Sequence, residues 1–107
     1  MTMNQSITDL ADQLRDLFKQ LMATDPWEQG YGEVAAIHEN LLRVIRDKAQ
    51  TDIGEFSKYL ESAAKEIEQT WSSSKNALAP WKAVLGPVFT QVEKIIGKAV
   101  PLLSLLI

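Results

Sequence analysis

Few residues in this chain are equipped for chemistry. His38 is its one histidine, and it has no cysteine. A zinc centre or a Cys/His nucleophile needs several such groups converging on one point. No metal ligand set and no cofactor site is therefore expected. On a helical reading His38 stands between Ile37 and Glu39, a boundary residue on a helix. Carboxylates are densest at Glu61, Glu66 and Glu68. Glu61 and Glu68 share a helix face, Glu66 points elsewhere, and Lys58 and Lys65 lie about one turn away, so ion pairing along a solvated face accounts for them. General acid–base work would need a carboxyl in an apolar pocket, and nothing in the pattern supplies one.

Ser72, Ser73 and Ser74 offer hydroxyls without a neighbouring base, and no Gly-x-Ser-x-Gly turn is present. Gly30 and Gly32 lack the lysine that follows the glycines of a phosphate-binding loop. Trp27, Trp71 and Trp81 could stack a ligand, but tryptophan more often lines a core or a hinge. The expectation is a protein that is not an enzyme and takes no small-molecule substrate.

Charge and hydropathy are distributed unevenly. The net charge is −3, which argues against nucleic acid, whose binders present a phosphate-neutralising basic face. Residues 75–107 carry Lys75, Lys82, Lys94 and Lys98 against the single acid Glu93, so this third is basic while the rest is acidic. It is also the most apolar part. Val84, Leu85, Val88, Val92, Ile95, Ile96, Val100, Leu102, Leu103, Leu105, Leu106 and Ile107 all fall after Trp81. A basic amphipathic segment over 81–107 could lie on an anionic membrane. Equally, a helix that is apolar all round is one buried all round in a bundle. Residues expected to carry contacts with a protein or a membrane are Trp81, Lys82, Val88, Phe89, Lys94, Lys98, Leu102, Leu103, Leu105 and Leu106.

No uncharged stretch reaches the ~18–20 residues of a spanning helix, because Glu93, Lys94 and Lys98 interrupt the longest candidate. The start, Met1-Thr2-Met3-Asn4, has no basic and apolar leader pattern. With no cysteine to call for an oxidising compartment, a cytoplasmic setting is expected. The ending Leu-Leu-Ser-Leu-Leu-Ile is unusually apolar. It suggests either the N-terminal part of a longer chain or a sticky functional end.

The elements that must position these residues are helical. Ile7, Leu10, Leu14, Leu17, Phe18 and Leu21 step by three and four, with Ser6 and Asp9 placed as a capping box. Residues 24–32 read as a connecting loop with one short turn, Asp25 capping and Pro26 in the first helical position. Trp27 and Tyr31 are expected to fold back over the core. Val34, Ile37, Leu41, Val44 or Ile45, and Ala49 form a second series from about Glu33. Ile53, Phe56, Leu60, Ala64, Ile67 and Trp71 form a third.

Thr51-Asp52 followed by Glu55 looks like a fresh cap. Yet the apolar series keeps phase from 45 to 71, so one long helix from about 33 to 73 stands beside two shorter ones. Further on, a helical start at Ala79–Trp81 running to Leu85, an interruption at Gly86-Pro87, a new helix from Pro87 and a kink or stop at Pro101 are expected. The core is expected to include Leu10, Leu14, Leu17, Leu21, Ile37, Leu41, Ile45, Phe56, Leu60, Ile67, Val88, Val92 and Ile96. No period-two alternation competes. The fold class is all-α: a single domain over 1–107, an antiparallel bundle of four to five helices.

The stretch Trp81-Lys82-Ala83-Val84-Leu85-Gly86-Pro87-Val88, with Val92, Ile96 and then Ala99-Val100-Pro101, resembles the N-terminal helical domains of fungal STAND receptors, NLR-like proteins with an NTPase core. This match covers about a quarter of the chain. It implies a helical effector or adaptor module that signals by self-association or membrane action, and it carries no catalytic residue. A second resemblance, to small secreted helical-hairpin proteins of the WXG100 class, rests on size and the lack of cysteine. Trp27-Glu28-Gln29-Gly30 has one residue more than the Trp-x-Gly of that class. Taken together, these features make the chain a non-catalytic module that binds a protein partner or its own copies, with an anionic membrane surface as the alternative.

Overall fold

Asn4 opens the first helix. Its side chain accepts a hydrogen bond from the Ser6 amide at 2.8 Å, satisfying one of the orphan donors of the first turn. The cap is thus two residues upstream of the expected Ser6. Helix α1 then runs Gln5–Met22, and Asp9 accepts from the Gln5 side chain rather than closing a capping box. The computed structural model describes residues 4–106; Met1–Met3 and Ile107, the last member of the apolar ending, lie outside the described residues.

Helix α2 spans Tyr31–Lys48 and α3 spans Ile53–Trp71. The alternative of one helix from 33 to 73 is overturned: the chain breaks at Ala49–Asp52. Thr51 Oγ1 donates to the Lys48 carbonyl at 2.7 Å, and Asp52 accepts from the Glu55 amide at 2.9 Å. Both sides of the break therefore have their free backbone groups met. A straight helix would carry its apolar stripe past any partner, whereas two antiparallel halves bury it against each other. Ile53, in phase with that stripe, falls at the turn and stays exposed.

A short helix α4, Lys75–Leu78, and a 3-10 turn over Ala79–Trp81 lead into α5, Lys82–Ile96. Against expectation, Gly86-Pro87 does not divide this segment: α5 is continuous with Pro87 inside it. The ring removes one amide donor. Pro87 and Ala83, one turn earlier, are both exposed, so the carbonyl left without its helical partner faces water.

Glycine 97, with φ +83°, ends α5 in the left-handed conformation, and its amide bonds back to the Glu93 carbonyl. The chain then turns, and a 3-10 segment, Pro101–Leu106, packs on α3, α4 and α5.

Side-chain links fix the directions. Gln91, late in α5, donates to the Ser6 carbonyl at the start of α1. Ser57, early in α3, donates to the Ile95 carbonyl at the end of α5. Lys48, ending α2, lies 4.3 Å above the Tyr59 ring of α3. These pairs make α1/α5, α3/α5 and α2/α3 antiparallel. With α1 packed on α2, the four long helices form an up-down-up-down bundle. Among the described residues there is no strand.

The core is continuous across all four helices, and Leu10, Leu14, Leu17, Ile37, Leu41, Phe56, Leu60, Ile67, Val88 and Val92 are sealed in it. Ile95 takes the inward position expected for Ile96, which is only partly buried.

Candidate interaction surface

The basic apolar segment is where the sequence concentrates its candidate residues, and the fold turns most of it inward. Trp81, Val88, Phe89, Leu102, Leu105 and Leu106 are buried in the main core, and Leu103 is packed against it. None of the six buried side chains can touch a partner while the bundle is closed. The Pro101–Leu106 segment covers the seam of α3 and α5, which is why it is apolar. Its expected role as a sticky end is thus met by an intramolecular surface.

The lysines remain outside. Lys82 and Lys94 are exposed. Lys98 is engaged: its Nζ lies 2.7 Å from Glu61 Oε1, with Lys65 3.8 Å from the same oxygen. The hydrogen bond from Lys98, reinforced by the charges of both lysines, holds the Glu61 carboxyl below the usual range against a smaller opposing effect of desolvation. Glu66 is exposed, while the half-buried Glu68 lines one pocket with Glu61, Lys65, Lys98, Val100 and Pro101.

What the sequence pattern missed lies on α1 and the loop after it. Phe18 is 47% exposed, Met22 is 72% exposed and Trp27 is 93% exposed. All three fall within ten residues of chain, on the last turns of α1 and the loop that follows. The expectation that Trp27 folds over the core is overturned; only Tyr31 does so, meeting the Trp81 ring edge-on with centroids 6.4 Å apart.

The physical reason is a loop pinned from below. The Trp27 amide bonds to Asp25 Oδ1 at 2.9 Å, Glu28 bonds back to the Asp25 carbonyl, and Tyr31 to that of Glu28. The Trp81 indole donates to the Gln29 carbonyl at 3.1 Å. Gly30, at φ +83°, lies so close to Ala77 that a Cβ there would overlap its carbonyl. Trp81 and Tyr31 occupy the space under the loop, and Trp27 points away from it. Trp71 is half-buried, with its Nε1 buried and unpartnered.

Phe18 also covers His38. The two rings stack at 5.4 Å with 26° between their planes. Together with Ala11, Leu14, Arg15 and Leu42 they line a groove of about 330 Å³ between α1 and α2. Burial pushes the imidazole below its ordinary value of 6.5, opposed in part by the nearby Glu39 charge.

A lowered histidine makes the fold lose stability as pH falls. Below about 6.5 the unfolded chain takes a proton that the folded protein accepts only at lower pH. Stability from this group is thus complete above 6.5 and declines through the folded value. Glu61, also lowered, loses its contribution only as pH falls below its own ordinary value of 4.5. Urea unfolding between pH 7.5 and 5 is therefore expected to show a decline that His38→Gln flattens. An unchanged slope in that variant would place the titration elsewhere.

Among the described residues no group of histidine, cysteine and carboxylate side chains could hold a metal ion. No helix among them is long and apolar enough to cross a membrane. In comparisons with known proteins, no family model, no curated protein and no solved structure matches this chain.

Proposed function

We propose that this protein is a non-catalytic helical interaction module that works by association with a protein surface, through the end of the bundle where α1 passes into α2. One observation carries this reading: an almost fully exposed tryptophan held on a hydrogen-bonded turn, with Met22 and Phe18 beside it in the chain. An exposed indole on a mobile tail would be unremarkable. Here Asp25, Gln29 and Gly30 tie the loop down, so little conformational entropy remains to be lost on binding. Tryptophan anchors of this kind dominate protein interfaces. Signalling by association, in a cytoplasmic setting, fits the resemblance to STAND receptor N-terminal domains.

The membrane alternative retains less support. Its apolar members are core residues, and Trp27 is flanked by Asp25 and Glu28, which anionic headgroups repel. Vesicle co-sedimentation beside sedimentation equilibrium, each at low and high salt, separates the two. A salt-resistant protein association is expected, because apolar burial drives it, with negligible pelleting on anionic vesicles. Trp27→Ala should weaken the association about 30-fold or more while changing folding stability by less than about 0.5 kcal/mol, as for other exposed positions. Salt-sensitive lipid binding by a monomer would overturn the reading.

A further inference from the structure

We infer that the partner of the Trp27 loop is a second copy of this chain, and that the two copies exchange tryptophans. Each Trp27 would seat in the other's α1–α2 groove, around a two-fold axis close to Phe18 and Met22. This inference rests on the reading of the Trp27 end as a protein-binding surface.

Three observations meet here. The groove and the loop lie on the same helix pair. Leu14 in the groove and Met22 at the helix end are eight residues apart, about 12 Å along the axis. Trp27 follows Met22 in the loop and is 93% exposed, so it does not fill its own molecule's groove. Two copies laid with their α1 helices antiparallel bring each loop over the other's groove, and the contact closes on itself as an isologous dimer.

The second observation is the surface between the two positions. On a helical wheel Ala11, Phe18, Met22 and Arg15 fall on one side of α1, the side toward α2. Apart from Arg15, the strip from groove to loop is thus apolar where the axis would pass.

Charge is the third. Among the described residues neither Asp25 nor Glu28 makes an ion pair, so two free acids flank the indole. The groove rim carries Arg15, whose one ion pair among the described residues is with the exposed Asp12 at 3.3 Å. In the antiparallel arrangement the partner's Asp25 and Glu28 come beside Arg15, which can also stack its guanidinium on the incoming ring. A dimer of standard size buries about 800 Å² on each partner, roughly an eighth of the 6127 Å² surface of one copy.

The absence of cysteine allows a clean test on the full chain. Sedimentation equilibrium should show a monomer–dimer equilibrium that stops at the dimer, weakened about 30-fold or more by Trp27→Ala, as for an interface hot spot. Met22→Cys should oxidise readily to a covalent dimer, because its two copies meet near the axis. Lys58→Cys, on α3, should not. Arg15→Glu should weaken the dimer, and adding Glu28→Arg should restore it in part.

An open-ended polymer, or a dimer that ignores Trp27→Ala and cross-links no faster through Met22→Cys than through Lys58→Cys, overturns the exchange but leaves the broader reading standing. A chain that stays monomeric at all concentrations overturns the second copy as partner. The reading of the Trp27 end as a protein-binding surface falls separately, on salt-sensitive binding of the monomer to anionic vesicles.

Discussion

Phe89→Ala is expected to cost the fold about 3–5 kcal/mol, the usual range for deleting a fully buried phenylalanine ring. Phe89 has no exposed surface and lies in the core cluster with Leu85, Val88 and Val92 on α5. Its truncation would leave a cavity walled by helices that are already packed and can collapse only in part. A domain of this size holds about 5–15 kcal/mol in total, so the variant should sit close to the edge of unfolding. Urea denaturation measures it directly, as a lower midpoint with an unchanged slope. Lys94→Ala, one and a half turns further along the same helix but exposed, should change stability by less than about 0.5 kcal/mol. The contrast separates the two accounts of the basic apolar segment. A loss at Phe89 below about 1 kcal/mol would mean that the ring is not core, and would return it to the set of surface contacts.

Gly30→Val should be the most damaging single change in the α1–α2 loop, with a loss of at least about 3 kcal/mol. Two costs combine. A β-branched residue is strained at φ +83°, and the added side chain would overlap the Ala77 carbonyl. Relief would require the loop to lift away from α4, breaking the bond from the Trp81 indole to the Gln29 carbonyl and exposing Trp81. The melting temperature should fall by more than about 10 °C. Gly32→Ala provides the control. Gly32 lies inside α2 with nothing near the added methyl, so this change should be neutral or stabilising by up to about 1 kcal/mol, as for glycine replaced in a helix. If both variants melted like the parent, the loop would not be pinned, and the preorganised presentation of Trp27 would lose its basis.

The pinned loop and the inward-turned tail together move the proposed point of contact away from the apolar ending and onto the α1–α2 loop. The C-terminal third concentrates apolar residues because its neighbours are apolar too: α5 lies against α1 and α3, and the Pro101–Leu106 segment runs over the seam. The acidic N-terminal half, by contrast, leaves three large apolar side chains in water near one end.

Period and capping chemistry alone determined that the chain is helical and which residues face inward over most of its length. Leu10, Leu14, Leu17 and Leu21, like Phe56, Leu60, Ala64 and Ile67, recur at the spacing that puts side chains on one face, and that information is local. Asp52 with Glu55 was also legible as a cap, but a cap competes with helix continuation, and packing of α2 on α3 decided between them. The continuity of α5 through Pro87 depended on where the lost donor falls, on the solvent side, which only the assembled bundle defines. The destinations of Trp27 and of the apolar ending were not legible at all. A sequence reports that a side chain is apolar, and tertiary structure decides whether space remains for it. Trp81 and Tyr31 occupied the space beneath the α1–α2 loop and left Trp27 outside, while the open seam beside α3 and α5 drew Leu102, Leu105 and Leu106 in.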